Sequence, residues 1–198
     1  MSARVASLSQ ALPVAGRPLL VLAGVGGAGL VRTAMAGLQG PASLSAAGVF
    51  ALLLLAVGVA AGWRPGRLSV GGALLGLLGA VVLVAAPLLR GSTVQLQSPQ
   101  PFVLEVWAPV VTLVAVAEEV ALRGALFATV NSRAGGALAV AVSAIVFALL
   151  HVPLYGWGAL PLDLAAGVWL GVLRLVSGGV LAPALAHVLA DLSTAWVI

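Results

Sequence analysis

Residues 103–130 read VLEVWAPVVTLVAVAEEVALRGALFATV. An α-helix needs roughly 20 mostly apolar residues to cross the hydrocarbon core of a bilayer, and this run supplies them. It is an unusual span, because Glu118, Glu119 and Arg123 stand inside it, where a charged group is expensive. On either side of it, comparable apolar runs occupy residues 18–37, 43–63, 68–89, 137–153, 161–176 and 179–198. They are continuously apolar rather than alternating, which excludes β-barrel spans. The sequence therefore predicts an all-α, polytopic transmembrane helix bundle of about seven spans.

Composition excludes the other fold classes. Of 198 residues, 62% are hydrophobic and 7% charged, as nine Arg, no Lys and five acids. A soluble domain carries about 25% charged residues, and disorder needs high charge with low hydrophobicity. There is no Cys, hence no thiolate chemistry or disulfide. The net charge of +4 is spread over single Arg between apolar runs, not gathered into the basic patch that nucleic acid requires. The lipid bilayer is the partner this composition implies, and nucleic acid is not. Abundant Ala, Gly, Val and Arg without Lys fit the GC-rich coding of a bacterium, so the expected location is its plasma membrane.

Three regions are expected: a cytoplasmic N-terminal tail (1–17), N-terminal transmembrane helices (18–99) and a transmembrane core (100–198) that carries the polar residues. The tail lacks the apolar stretch and cleavage site of a signal peptide. The polar stretch 91–102 separates the last two regions. With the N-terminus cytoplasmic, Arg4, Arg17, Arg64, Arg67, Arg133 and Arg174 fall inside, and Arg32 and Arg90 fall outside. That distribution obeys the positive-inside rule and leaves the C-terminus outside. Trp107, Tyr155, Trp157 and Trp196 then lie near the outer interface. Gly72–Gly76 and Gly167–Gly171 are small-xxx-small pairs suited to close helix packing.

Three clusters carry the chemistry: Glu118-Glu119-x-x-x-Arg123, Phe147-x-x-x-His151 and His187-x-x-x-Asp191. Glu119 and Arg123 are four apart and can pair on one helix face. Glu118 points about 100° away and is expected to stay unpaired. His187 and Asp191 are also four apart, so the carboxylate could fix the imidazole tautomer. The turn between the fourth and fifth spans centres near 134–135. Glu118 and His151 lie 16–17 residues on either side of it, which puts them at similar height, roughly 25 Å along each helix. Each cluster alone also has a structural reading, as a buried ion pair, an interfacial His or a tie between helices.

Two functions use such groups. One is hydrolysis: apolar burial makes a carboxylate a stronger base, able to activate water against a peptide carbonyl. The other is proton translocation along a Glu/His/Asp chain. Zinc could be held by Glu118, His151 and His187, but the HExxH helix is absent. Ser143 and Ser193 stand in no G-x-S-x-G context, which disfavours a serine nucleophile.

The ordered set E-E-x-x-x-R, F-x-x-x-H and H-x-x-x-D over about residues 100–198 resembles the CPBP (CAAX protease and bacteriocin-processing, Abi) family. The resemblance implies a membrane-embedded endopeptidase acting on a membrane-associated protein or peptide. It implies Glu118 as the base that activates water, Glu119 and Arg123 as a supporting pair, and His151, His187 and Asp191 around the reaction centre, with Phe147 lining it. CAAX endopeptidases have Asn where this chain has Asp191, and an ionised Asp cannot donate to an oxyanion. Family members are described both as metalloproteases and as metal-free glutamate peptidases; no cofactor is expected here, with zinc the alternative. A catalytically degenerate immunity or scaffold protein and a proton-coupled transporter are the other readings.

Overall fold

The computed structural model describes residues 17–40, 43–66, 68–88 and 103–195. The predicted tail up to residue 16, Arg67, Arg90, the loop 91–102 and Trp196 lie outside the described residues. The elements are α1 (Arg17–Gln39), α2 (Leu44–Ala60), α3 (Val70–Leu88), α4 (Ala108–Glu119), α5 (Phe127–Tyr155), α6 (Leu160–Ser177) and α7 (Leu181–Ser193). π-helical turns occupy Val103–Trp107 and Val120–Leu126, on either side of α4. Among the described residues there is no strand, as the unbroken apolar runs predict.

Local sequence sets the ends. Ser43 caps α2, its hydroxyl accepting from the Ala46 amide at 3.2 Å, which satisfies one of the free donors of the first turn. Inside α5, Gly135 takes φ 82° and ψ 168°, a conformation open to a residue without Cβ. The helix breaks there, at the turn expected near 134–135. Arg123 and Phe147 each lie twelve residues from Gly135. The Arg123 guanidinium sits 4.8 Å from the Phe147 ring centre, so the two arms run antiparallel.

Among the described residues, three stretches are long and apolar enough to cross a membrane: Pro18–Gln39, Glu105–Tyr155 and Trp157–Ser177. The second contains 51 residues and is the one broken at Gly135. Leu44–Ala60, Val70–Ala85 and Leu181–Ser193 are apolar but shorter; the first rises only about 26 Å at 1.5 Å per residue. Length and apolarity thus give three candidate spans rather than the expected seven. The outer surface is apolar, with Leu30, Leu38 and Leu78 pointing outward from α1 and α3, the pattern of helices facing hydrocarbon.

Both predicted glycine pairs lie at close crossings. A Cβ on Gly167 would come within 2.9 Å of Ala144 Cα, and one on Gly171 within 3.0 Å of Val140, so α6 packs backbone-close on α5. A Cβ on Gly76 would meet the Ala182 carbonyl at 2.9 Å, which does the same for α3 and α7. The first pair of contacts holds α6 against the hairpin that carries the charged residues, and the second holds α7 against α3.

Candidate active site

Glu118 and Glu119 end α4 and are both buried. The π-turn next to them holds Arg123, which is fully buried. A π-turn bonds i to i+5, as the Phe127 amide does to Leu122 O, so neighbouring carbonyls lose their usual partners. Other donors take them. Arg174 Nε of α6 donates to Arg123 O at 2.9 Å, and Thr129 Oγ1 lies 3.0 and 2.8 Å from the Ala125 and Leu126 carbonyls. Nothing in the sequence pattern announced this turn.

Glu119 and Arg123 form the predicted pair. Arg123 Nη1 donates to Glu119 Oε1 at 2.7 Å and Nη2 to the Gly167 carbonyl at 2.9 Å. That carbonyl is reachable because Gly167 brings α6 so close. The same Glu119 oxygen faces His187 Nδ1 at 3.0 Å. Since Oε1 already receives the Arg123 donor, we assign the Nδ1 proton to His187, donating to Glu119. His187 Nε2 then lies on the far side of the ring from Glu119, 3.6 Å from Asp191 Oδ2 and 3.9 Å from Glu118 Oε2. The expectation that Asp191 fixes the tautomer is corrected. Its i,i+4 spacing brings it near Nε2, but a long-range partner on Nδ1 is closer and better buried.

Glu118 is also not unpaired, as its rotation away from Glu119 had implied. Arg32 Nη1 of α1 lies 3.6 Å from Glu118 Oε1, and the Arg32 guanidinium is stacked 4.6 Å above the Phe50 ring of α2. Arg32 had been assigned to the outer flank of the first span. The helix continues to Gln39, so Arg32 lies well inside it and its side chain reaches across to α4. The signal was available, in an Arg two turns short of the helix end, but a hydropathy count treats such a residue as flanking.

Phe147 joins the remaining residues. Its ring meets His151 at 4.4 Å and His187 edge-on at 5.4 Å between centroids, besides Arg123. His151 is half-buried, and its Nδ1 lies 2.8 Å from Phe147 O, one turn back. Tyr155 stacks on the other side of His151 at 5.7 Å. The structure therefore brings Glu118, Glu119, Arg123, Phe147, His187 and Asp191 into one contact network, with His151 attached through Phe147. Asp191 is the most exposed of the charged members, at 39%, so the cluster opens on its side.

Ser143 and Ser193 donate to helix carbonyls of their own turns, Val140 O and Ala190 O. Among the described residues, no three His, Cys, Asp or Glu side chains are arranged to hold a metal ion. His187 has Nδ1 on Glu119 and leaves Nε2 open, 3.9 Å from Glu118 Oε2, while His151 joins these two only through Phe147.

No curated protein and no solved structure matches the chain. Residues 100–193, which contain every one of these residues except Arg32 and its platform Phe50, match the family model described as Rce1-like, type II CAAX prenyl endopeptidase. That segment is just under half of the chain, and over it the chain is similar to the CAAX protease (CPBP) family that the three motifs resemble.

Proposed function

We propose that the protein is a membrane-embedded endopeptidase in which Glu118 activates water against a peptide bond of a membrane-associated protein or peptide. The observation that carries this reading is the placement of one buried carboxylate between two cationic or proton-carrying groups. Arg32 faces one oxygen of Glu118 at 3.6 Å and His187 Nε2 faces the other at 3.9 Å. A scissile carbonyl and a water entering there would meet a base, a donor and a proton relay at once.

Glu118 takes one proton from water, and the resulting hydroxide forms a C–O bond to the carbonyl carbon while the C=O π pair moves onto oxygen. Arg32 donates to that oxyanion, the role that an ionised Asp191 cannot fill. The C–N bond then breaks, and the leaving nitrogen takes the proton from Glu118, relayed by His187 Nε2. Glu119, held by Arg123, keeps His187 Nδ1 protonated and the ring oriented, as carboxylate–histidine pairs do. Asp191 and His151 complete the polar wall. No step is routed through a metal. Equimolar zinc in purified active protein, with loss of cleavage on chelation and its return on readdition, would replace this mechanism.

The same reading extends to topology. Seven spans result if the Glu105–Tyr155 stretch counts twice because of Gly135 and the three shorter apolar helices also cross. The N-terminus is then cytoplasmic, the C-terminus outside and the membrane the plasma membrane.

The deciding experiment is cleavage of a membrane-anchored peptide library in proteoliposomes by wild type and Glu118→Gln. We expect cleavage in wild type and a loss of about 10²–10⁴-fold in the variant, the usual worth of a general base. Equal cleavage by both removes Glu118 from the mechanism. No cleavage by wild type on any substrate, with cellular phenotypes unchanged by Glu118→Gln, favours the degenerate scaffold.

A further inference from the structure

A polar cleft lies away from the Glu118 cluster. It is a cleft of about 390 Å³ between the end of α2, the π-turn and first turns of α5, and the α6–α7 connection. Arg64, Arg133 and Arg174 all line it, together with Trp63, Thr129 and Ser132. None of the chain's five acidic residues does. Three of nine Arg thus converge on one cavity with no carboxylate among its lining residues.

The three are not used up by the fold. Arg133 Nη1 donates to Thr129 O at 2.6 Å and Arg174 Nε to Arg123 O at 2.9 Å. A guanidinium has five N–H donors, so each keeps most of its donors. Arg174 is further fixed by stacking on Phe127 at 5.0 Å, which points a rigid fork rather than a floppy chain. Among the described residues Arg64 makes no ion pair. The glycines at 62, 66, 178 and 179 line the same cleft and leave its mouth free of side chains.

We propose that this cleft binds a phosphate-bearing anion, held by Arg64, Arg133 and Arg174. Planar guanidinium forks match phosphate oxygens in pairs. The volume lies in the usual range of about 300–1,000 Å³ for ligand sites. Basic pockets at helix ends on one side of a membrane are where lipid phosphates are held. The shared chemistry is the phosphate; its source is a lipid headgroup or free phosphate. The proposal is independent of the peptidase reading, because none of the three Arg touches Glu118 or His187.

The test uses the intact protein. Native mass spectrometry after reconstitution in bilayers of equal phosphatidylcholine and phosphatidylglycerol reads which lipid stays bound, for wild type, Arg64→Gln/Arg133→Gln and Arg32→Gln. The first two positions are exposed, so the double variant should fold, and a melting curve checks that it does. Arg174 is left intact because it holds the Arg123 carbonyl. Wild type and Arg32→Gln should retain phosphatidylglycerol selectively. The double variant should lose about thirtyfold in retention, two arginines at about 1 kcal/mol each. In parallel, inorganic phosphate is titrated against the detergent-solubilised protein. A rise in its melting midpoint that the double variant lacks, without lipid selectivity, assigns the site to free phosphate. Equal retention and equal melting responses in wild type and double variant overturn the proposal and leave the three Arg as topological charges only.

Discussion

The N-terminal helices α1–α3 and the C-terminal helices α4–α7 are built on different physics. Every buried polar or charged side chain among the described residues, namely Glu118, Glu119, Arg123, Ser143 and His187, belongs to the second group. The first group is apolar outside and inside, and it meets its neighbours through small residues. Yet it is not a passive jacket, since α1 supplies Arg32 to Glu118 and α2 supplies the Phe50 ring beneath that guanidinium. The family match covers 100–193, but the cluster around Glu118 is completed from outside it. The cluster of the C-terminal half therefore includes one cation that the N-terminal half delivers.

Substitutions can break this contrast, beginning with the C-terminal half. Arg123→Met should cost about 3–5 kcal/mol, because it strands a buried carboxylate. Adding Glu119→Leu should recover much of that loss, and reversible unfolding in mixed micelles reads both. Full additivity of the two substitutions would mean that Glu119 and Arg123 do not act as a pair. Arg32→Gln tests the contribution of the N-terminal half. Its cleavage rate should fall by about 10²-fold, as for a lost oxyanion donor, with kcat affected more than KM. Adding Asp191→Asn should return part of the rate by restoring a neutral donor. A Glu118→Gln variant that is dead while Arg32→Gln is fully active would keep the base and discard the role of Arg32.

Packing gives smaller effects. Gly167→Ala pushes a Cβ into Ala144 at 2.9 Å and should cost about 1–3 kcal/mol by overpacking, with activity falling as the Gly167 carbonyl leaves Arg123. Gly27→Ala in α1, where a Cβ meets nothing within 4 Å, should stay within about 0.5 kcal/mol of wild type. Similar losses at the two sites would erase the distinction between close crossing and lipid-facing surface. Topology can be read with no background, because the chain has no Cys. Single cysteines at Ser132 and Gly158 should label from opposite sides of the membrane, and labelling from one side would remove the seven-span arrangement.

Much of this was legible in the sequence. Apolar runs placed the seven described helices, and the centre of the gap between the fourth and fifth runs placed the break at Gly135. The spacing of Glu119 and Arg123 gave their pairing, because four residues is a local distance on a helix. The three clusters marked Glu118, Phe147, His151, His187 and Asp191 as neighbours. What escaped depends on long-range geometry. Arg32 was read as a flank because hydropathy measures a residue's cost and not its partner on another helix. The link from His187 Nδ1 to Glu119 was hidden behind the local Asp191 spacing. The π-turn was unreadable because nothing in its side chains distinguishes it from an α-helical turn; it is made tolerable by Arg174 and Thr129, both distant from or downstream of it.

That π-turn has a consequence for how the span tolerates a change of length. Val120–Leu126 carries one residue more than an α-helix would need to cover the same ground. A residue added to or removed from a regular α-helix turns everything on one side of it by about 100°. Here the wide turn takes up the surplus within itself, so Glu118 and Glu119 before it and Phe127 after it keep their faces. The register of the whole span is thus buffered at one place, next to the two carboxylates.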